Sequence, residues 1–313
     1  MNAAVLFLVF NRPDTTAQVF ETIREARPPR LYVAADGPRA SRAGEAERCA
    51  QVRSIATQID WPCEVHTLFR QENLGCKRAV SGAIDWFFEN EEEGIILEDD
   101  VLPQPGFFRF CEELLARYRD DHDVSMISGC NLLGDAYEAP ASYFFSRYMH
   151  IWGWASWRRA WAHYDVGMTG WGTPQSLAQL DKVLHGRQHA VRYWRSIFDR
   201  VRANEIDTWD YQWVHAGWAN DMIAIIPARN MVRNLGFGAD ATHTTGEAPH
   251  EVLEAKNISF PLTHPISRDT HIVDRIDEKK AFGLTFTSRI KAHLREIIPW
   301  VFLLARKLRD ARA

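Results

Sequence analysis

The first 131 residues alternate between short apolar runs and longer amphipathic stretches. No other feature constrains the fold as strongly. "AAVLFLVFN" (3–11) is almost continuously apolar, which predicts a strand covered on both faces. "RPDTTAQVFETIREAR" (12–27) follows, with Val19, Phe20 and Ile23 spaced for one helix face and Asp14 or Thr15 placed to cap it. The pattern then repeats. Strands are predicted in "RLYVAADGP" (30–38), "CEVHTLFR" (63–70), "GIILEDD" (94–100) and "VSMISGCN" (124–131). Helices are predicted over about 41–58, in "CKRAVSGAIDWFFEN" (76–90) and in "PGFFRFCEELLARYRDD" (105–121). Strands alternating with helices through short connections predict an α/β fold: a mostly parallel central sheet flanked by helices. Such sheets place ligands beyond the carboxyl ends of their strands. Asn11, Asp36 and the run Glu98, Asp99, Asp100 all fall at predicted strand ends.

Three adjacent acids on a sheet rim repel one another, and a divalent cation relieves that repulsion. Oxygen-only ligands suit Mg²⁺ or Mn²⁺, which keep waters and accept phosphate oxygens as further ligands. The competing reading is that Asp99 or Asp100 caps the helix that follows. The 313 residues carry a net charge of -4, which argues against a nucleic-acid partner. Five cysteines (Cys49, Cys63, Cys76, Cys111, Cys130) show neither CxxC nor tight Cys/His spacing, which fits a reducing, cytoplasmic setting. The amino-terminal apolar run lacks a basic flank and a cleavage site, so it reads as a strand and not as a signal peptide.

After Asn131 the chain becomes rich in Trp, Gly and His, as in "WGWASWRRAW" (152–161), "TWDYQW" (208–213) and "GADATHTTG" (238–246). Trp152, Trp154 and Trp157 are equally suited to stacking on sugar rings and to building a core. "IDTWDYQW" (206–213) offers Asp207 and Asp210 as proton acceptors. Asp210 lies between Trp209 and Tyr211, neighbours expected to desolvate it. "SRIKAHLREIIPWVFLLARKLRDARA" (288–313) mixes basic and apolar residues at near-helical spacing, broken at Pro299. It suits either peripheral contact with the inner face of a membrane or packing on protein. The expected organisation is a strand-and-helix half over 1–131, a Trp-rich second half of the same domain over 132–264, and a carboxyl-terminal extension over 265–313.

An apolar strand ending in "LEDD", preceded by "NLG" and a helix, resembles the metal motif of glycosyltransferases with the GT-A fold. The nearest resemblance is to the inverting β-1,2-N-acetylglucosaminyltransferase I type. "FNR", "AADG", the Gly-Trp segment and "TWDYQW" resemble that family's motifs in the same order, over about 4–245. The resemblance implies an inverting transferase that moves a GlcNAc-like sugar from a UDP-sugar to a saccharide or lipid-linked saccharide acceptor, in bacterial surface polysaccharide or glycolipid assembly. It implies Asp100 as direct metal ligand, Asp99 near the ribose, Glu98 supporting the nucleotide side, and Arg12 and Asp36 on the nucleotide. It also implies Asp210 as the base, and His243 as a second metal or diphosphate ligand. The family carries a His at the start of the third helix. Here that stretch is "GCKRA", and Lys77 offers its charge to the diphosphate instead. Two further readings stand beside this one: a nucleotidyltransferase that makes sugar nucleotides, and a non-catalytic carbohydrate-binding module.

Overall fold

The computed structural model describes residues 1–236 and 254–284. In chain order the elements begin with strand β1 (Ala4–Val9), helix α1 (Pro13–Ala26), β2 (Arg30–Ala35), α2 (Glu45–Ala56), β3 (Glu64–Phe69) and α3 (Gly75–Asn90). They continue with β4 (Glu93–Glu98), β5 (Val101–Pro103), α4 (Gly106–Arg117), β6 (Val124–Ser128), β7 (Tyr143–Ser146) and β8 (Trp154–Trp157). The rest are α5 (Arg158–Trp161), α6 (Pro174–Val183), α7 (Gln188–Arg202), α8 (Asp210–Ala219), β9 (Ile223–Pro227), β10 (Val232–Asn234) and α9 (His271–Lys280). Each of the five strands and four helices expected before residue 131 is present.

Eight strands form one sheet in the order β3-β2-β1-β4-β8-β6-β9-β7. β3, β2, β1 and β4 run parallel, as do β6 and β9, while β8 and β7 run against their neighbours. The expected mostly parallel α/β sheet is thus observed. Both faces of β1 are covered because its side chains alternate between two cores. Val5, Phe7 and Val9 pack with α1, α2 and α4, while Ala4, Leu6 and Leu8 pack with α3 and the helices of the second half. The nearly unbroken apolar run of β1 follows from that double coverage.

One expectation changes, and one open choice closes. α1 starts on Pro13, with Arg12 as N-cap and no side-chain cap, so neither Asp14 nor Thr15 serves there. The fixed φ of proline pre-sets the first helical residue. Trp154 and Trp157 are not sugar platforms. They lie on β8, hydrogen-bonded to β4 on one side and β6 on the other, with 1% and 2% of their surface exposed. Trp154 stacks on Trp209 at 5.8 Å between ring centroids. Trp161 lies 5.1 Å from Trp213 and 4.1 Å from Tyr164. A buried Trp removes roughly 200 Å² from water, a gross gain of about 5 kcal/mol, so this cluster ties α5 and α8 firmly to the sheet.

Candidate active site

The parallel register sets the ends of the first strands side by side. Val9 pairs with Ala35, and Leu8 with Glu98. The residues that follow, Phe10 to Arg12, Asp36, and Asp99 to Asp100, therefore emerge on one rim. Together with the start of α3 and the loop before α8 they line a cleft of about 490 Å³. Arg12, Asp36, Glu98, Asp99, Asp100 and Asp210 all reach this cleft, as do Trp152, Trp209 and Asp207. His243 lies outside the described residues, as do Gly238, Gly246 and the basic carboxyl-terminal stretch.

The three acids do not act as one group. Asp99 Oδ2 accepts the Phe10 N–H at 2.9 Å and is buried. Asp100 Oδ2 accepts from Arg12 Nη1 at 2.5 Å. β4 ends at Glu98, and Val101 already belongs to β5, which pairs antiparallel with β10. The turn between the two strands points successive carboxylates in different directions. Among the described residues no three acids, histidines or cysteines come together as a chelating set. Loss of hydration, then the charges of Asp100, Asp99 and Asp210, hold the Glu98 carboxyl well above the usual range. Burial, then the Asp100 charge, pushes Asp99 up to about 7. The capping alternative fails, because α4 has no side-chain cap.

Asp36 is saturated by its own fold. Its carboxylate accepts the N–H groups of Gly37 (2.9 Å), Leu74 (3.0 Å) and Gly75 (3.2 Å), and Asn73 Nδ2 at 2.9 Å. Asn73 also donates to the Gly37 carbonyl at 2.8 Å. The "NLG" segment is thus a loop closing on Asp36. A Cβ at Gly37 would meet the Glu72 backbone at 2.4 Å, so only glycine allows the approach.

Asp210 is the first residue of α8, where an acid is favoured by the helix dipole. Its Oδ1 accepts the Tyr211 N–H at 2.9 Å and the Thr208 hydroxyl. Its Oδ2 has no hydrogen-bond partner among the described residues. Tyr164 donates its hydroxyl to the Trp209 carbonyl at 3.1 Å, so the residue before Asp210 is fixed by both stacking and hydrogen bonding. The Lys77 ammonium does not turn to the cleft as expected. It donates to Asn204 Oδ1 at 3.0 Å.

Reading the sequence missed one network. Glu45 is 1% exposed and accepts from Asn11 Nδ2 at 2.8 Å, from the Arg39 N–H at 2.6 Å and from the Arg39 guanidinium at 2.5 Å. Hydrogen bonding to Arg39 holds its carboxyl down at about 2. Arg39 in turn lies over the Phe10 ring at 5.4 Å and lines the cleft. The one sequence clue was that Asn11 falls at a strand end. Glu45 sits on a helix without apolar periodicity, so nothing marked it.

Among known proteins, no family profile matches the chain, and no curated protein matches it. Solved structures resemble it weakly. HddC from Yersinia pseudotuberculosis is 10% identical, with 50% of this chain and 77% of that one covered and a TM-score of 0.31. Apo UDP-glucose pyrophosphorylase is 9% identical, with 72% and 90% covered and a TM-score of 0.35. UDP-glucose pyrophosphorylase complexed with UDP-glucose is 13% identical, with 41% and 56% covered and a TM-score of 0.25.

Proposed function

We propose that this chain is an enzyme acting on a nucleoside-diphosphate sugar, and that it transfers the sugar, with inversion, to a saccharide hydroxyl. One observation carries the reading: Arg12, Asp36 and the Glu98–Asp100 run, from three parallel strand ends, share a single cleft with Asp210 at the start of α8. Asp36 shapes the nucleotide side by holding the 73–75 loop. Asp210 Oδ2 is the candidate acceptor for the proton of the attacking hydroxyl. Trp209 and Trp152 wall the acceptor side.

A divalent cation, Mn²⁺ or Mg²⁺, fits this cleft through Asp100, in the mode where one carboxylate and substrate phosphates share the ion. Burial first, and then the neighbouring acid charges, raise the Glu98 and Asp99 carboxyls, and a cation at Asp100 would relieve the second of these contributions. When bound, such an ion neutralises charge on the diphosphate leaving group.

The second reading is nucleotidyl transfer, the chemistry named for UDP-glucose pyrophosphorylase, whose structure binds UDP-glucose. Against it, the first strand leads into "FNRPDTT" and not into a glycine-rich loop. Incubation with UDP-, GDP- and CMP-sugars, Mn²⁺ and a saccharide mixture decides between the readings. Release of nucleoside diphosphate (of nucleoside monophosphate from a CMP-sugar) supports sugar transfer. Release of nucleoside triphosphate when pyrophosphate is supplied supports nucleotidyl transfer. Binding without either product leaves a carbohydrate-binding module.

A further inference from the structure

The free N–H groups at the start of α3 are taken by two carboxylates from distant parts of the chain. Leu74 and Gly75 donate to Asp36, as described above. Lys77 N–H donates to Asp207 Oδ1 at 3.3 Å. Asp207 belongs to the loop joining α7 to α8, three residues before Asp210. The same loop touches α3 a second time, through the bond from Lys77 Nζ to Asn204 Oδ1. The fit is close: a Cβ at Gly75, whose φ is +77°, would lie 2.9 Å from Asp207 Oδ2. A helix N-terminus carries partial positive charge and unsatisfied donors, so a carboxylate docks there with both charge and hydrogen bond satisfied.

We infer that Asp207 is a positioning residue: it docks the α7–α8 loop on the N-terminus of α3 and thereby sets where Asp210 stands relative to the nucleotide side of the cleft. The inference rests on the transfer reaction proposed above. α3 belongs to the half that carries Asp36 and Asn73, and α8 to the half that carries Asp210. Asp207 and Asn204 are polar links between the two at this point, while Trp209, stacked on Trp154, fixes the loop from the other side. Asp207 is exposed, so its replacement removes the link without opening a core.

The test compares Asp207→Ala with Asp207→Asn in the full chain. The amide oxygen of Asn still accepts the Lys77 N–H, but Asn cannot serve as a base. With the UDP-sugar turned over by the parent, Asp207→Ala is expected to lower kcat roughly a hundredfold, the scale of an approximately 1 Å misplacement, with donor Kd nearly unchanged. Asp207→Asn is expected to recover most of that loss and to keep the parent's acid limb in the pH profile. Gly75→Ala, which crowds Asp207 from the α3 side, is expected to lower kcat as Asp207→Ala does. An Asn variant as slow as the Ala variant would make Asp207 itself the proton acceptor and overturn the inference. Parent-like turnover by Asp207→Ala would overturn it too. A parent that turns over no sugar nucleotide defeats the proposed function instead, and the docking is then read from hydrogen exchange alone. The Lys77 and Tyr211 amides are expected to exchange faster in the Ala variant and not in the Asn variant. Unchanged exchange in Asp207→Ala overturns the docking.

Discussion

Arg12 and Asp100 form an ion pair 2.5 Å long that joins the end of the first strand to the turn after the fourth, 88 residues apart in the chain. Both side chains are mostly buried, at 24% and 18% exposed. In this arrangement the guanidinium occupies one of the two Asp100 carboxylate oxygens. A cation at that oxygen, as proposed, would have to displace the guanidinium.

Asp100→Ala is expected to abolish metal-dependent binding of the sugar nucleotide, while the melting temperature drops only slightly. A single partly exposed ion pair contributes about 1 kcal/mol or less. Calorimetry with UDP-sugar and Mn²⁺ checks the first part, and a thermal melt the second. Donor affinity equal to that of the parent in a folded variant would remove Asp100 from the metal site.

Asp210→Asn is expected to bind donor nearly as well as the parent and to transfer sugar at least roughly a hundredfold more slowly, within the 10² to 10⁴ typical of a lost general base. Single-turnover transfer paired with donor calorimetry measures both. Collapse of affinity together with rate would assign the loop to the nucleotide site.

Gly37→Ala tests the closure of the 73–75 loop on Asp36. The new methyl would meet the Glu72 backbone, which yields less readily than a side chain tip. The variant is expected to lose on the order of 1–3 kcal/mol of stability and to bind donor about tenfold more weakly, a 1.4 kcal/mol effect. Denaturant melts and calorimetry report the two. Unchanged donor affinity would separate this loop from the nucleotide side.

Two buried acids predict opposite pH behaviour. Glu45 has its carboxyl held down at about 2, so it contributes stability above the unfolded carboxylate range, and that contribution is lost as pH falls from about 4.5 toward 2. Glu45→Gln is therefore expected to destabilise the protein at pH 7, on the order of 2 kcal/mol for hydrogen bonds to a charged group, with the gap to the parent closing near pH 2. Asp274 behaves in the reverse sense. Burial raises its carboxyl to about 6, so ionisation costs stability as pH rises from about 4 through 6. Its Oδ1 accepts from Ser146 Oγ and the Arg147 N–H, while Oδ2 is buried without a hydrogen-bond partner among the described residues. Asp274→Asn is expected to gain on the parent between pH 4 and pH 7. Chemical denaturation at several pH values reads both slopes.

The acids after β4 were legible because an apolar run ends on them, and a strand end in a parallel sheet is a rim. The ion pair between Arg12 and Asp100 was not legible, since nothing local to "FNR" or "LEDD" records that their strands are neighbours. Asp36 was placed correctly at a strand end, yet its saturation by the 73–75 loop depends on a tertiary approach allowed by Gly37. The segment "WASW" left two readings open for a related reason. Four residues with two Trp carry no strand signal alone. They form β8 because β4 and β6 pair with them from both sides, and burial follows from that pairing.

β8 also has a consequence for how the protein is made. Among the described strands it alone joins β4 to β6 in hydrogen bonding, yet it is synthesised after both. A nascent chain that has emerged as far as Asn131 holds β4 with one edge open and β6 without its neighbour. Unpaired strand edges are templates for aggregation, and they stay exposed until residues 154–157 arrive. The first 131 residues carry an unbroken alternation of strands and helices, but without β8 their strands do not join into one sheet. A chain cut there is expected to aggregate more readily than the intact protein, because its β4 edge stays unpaired.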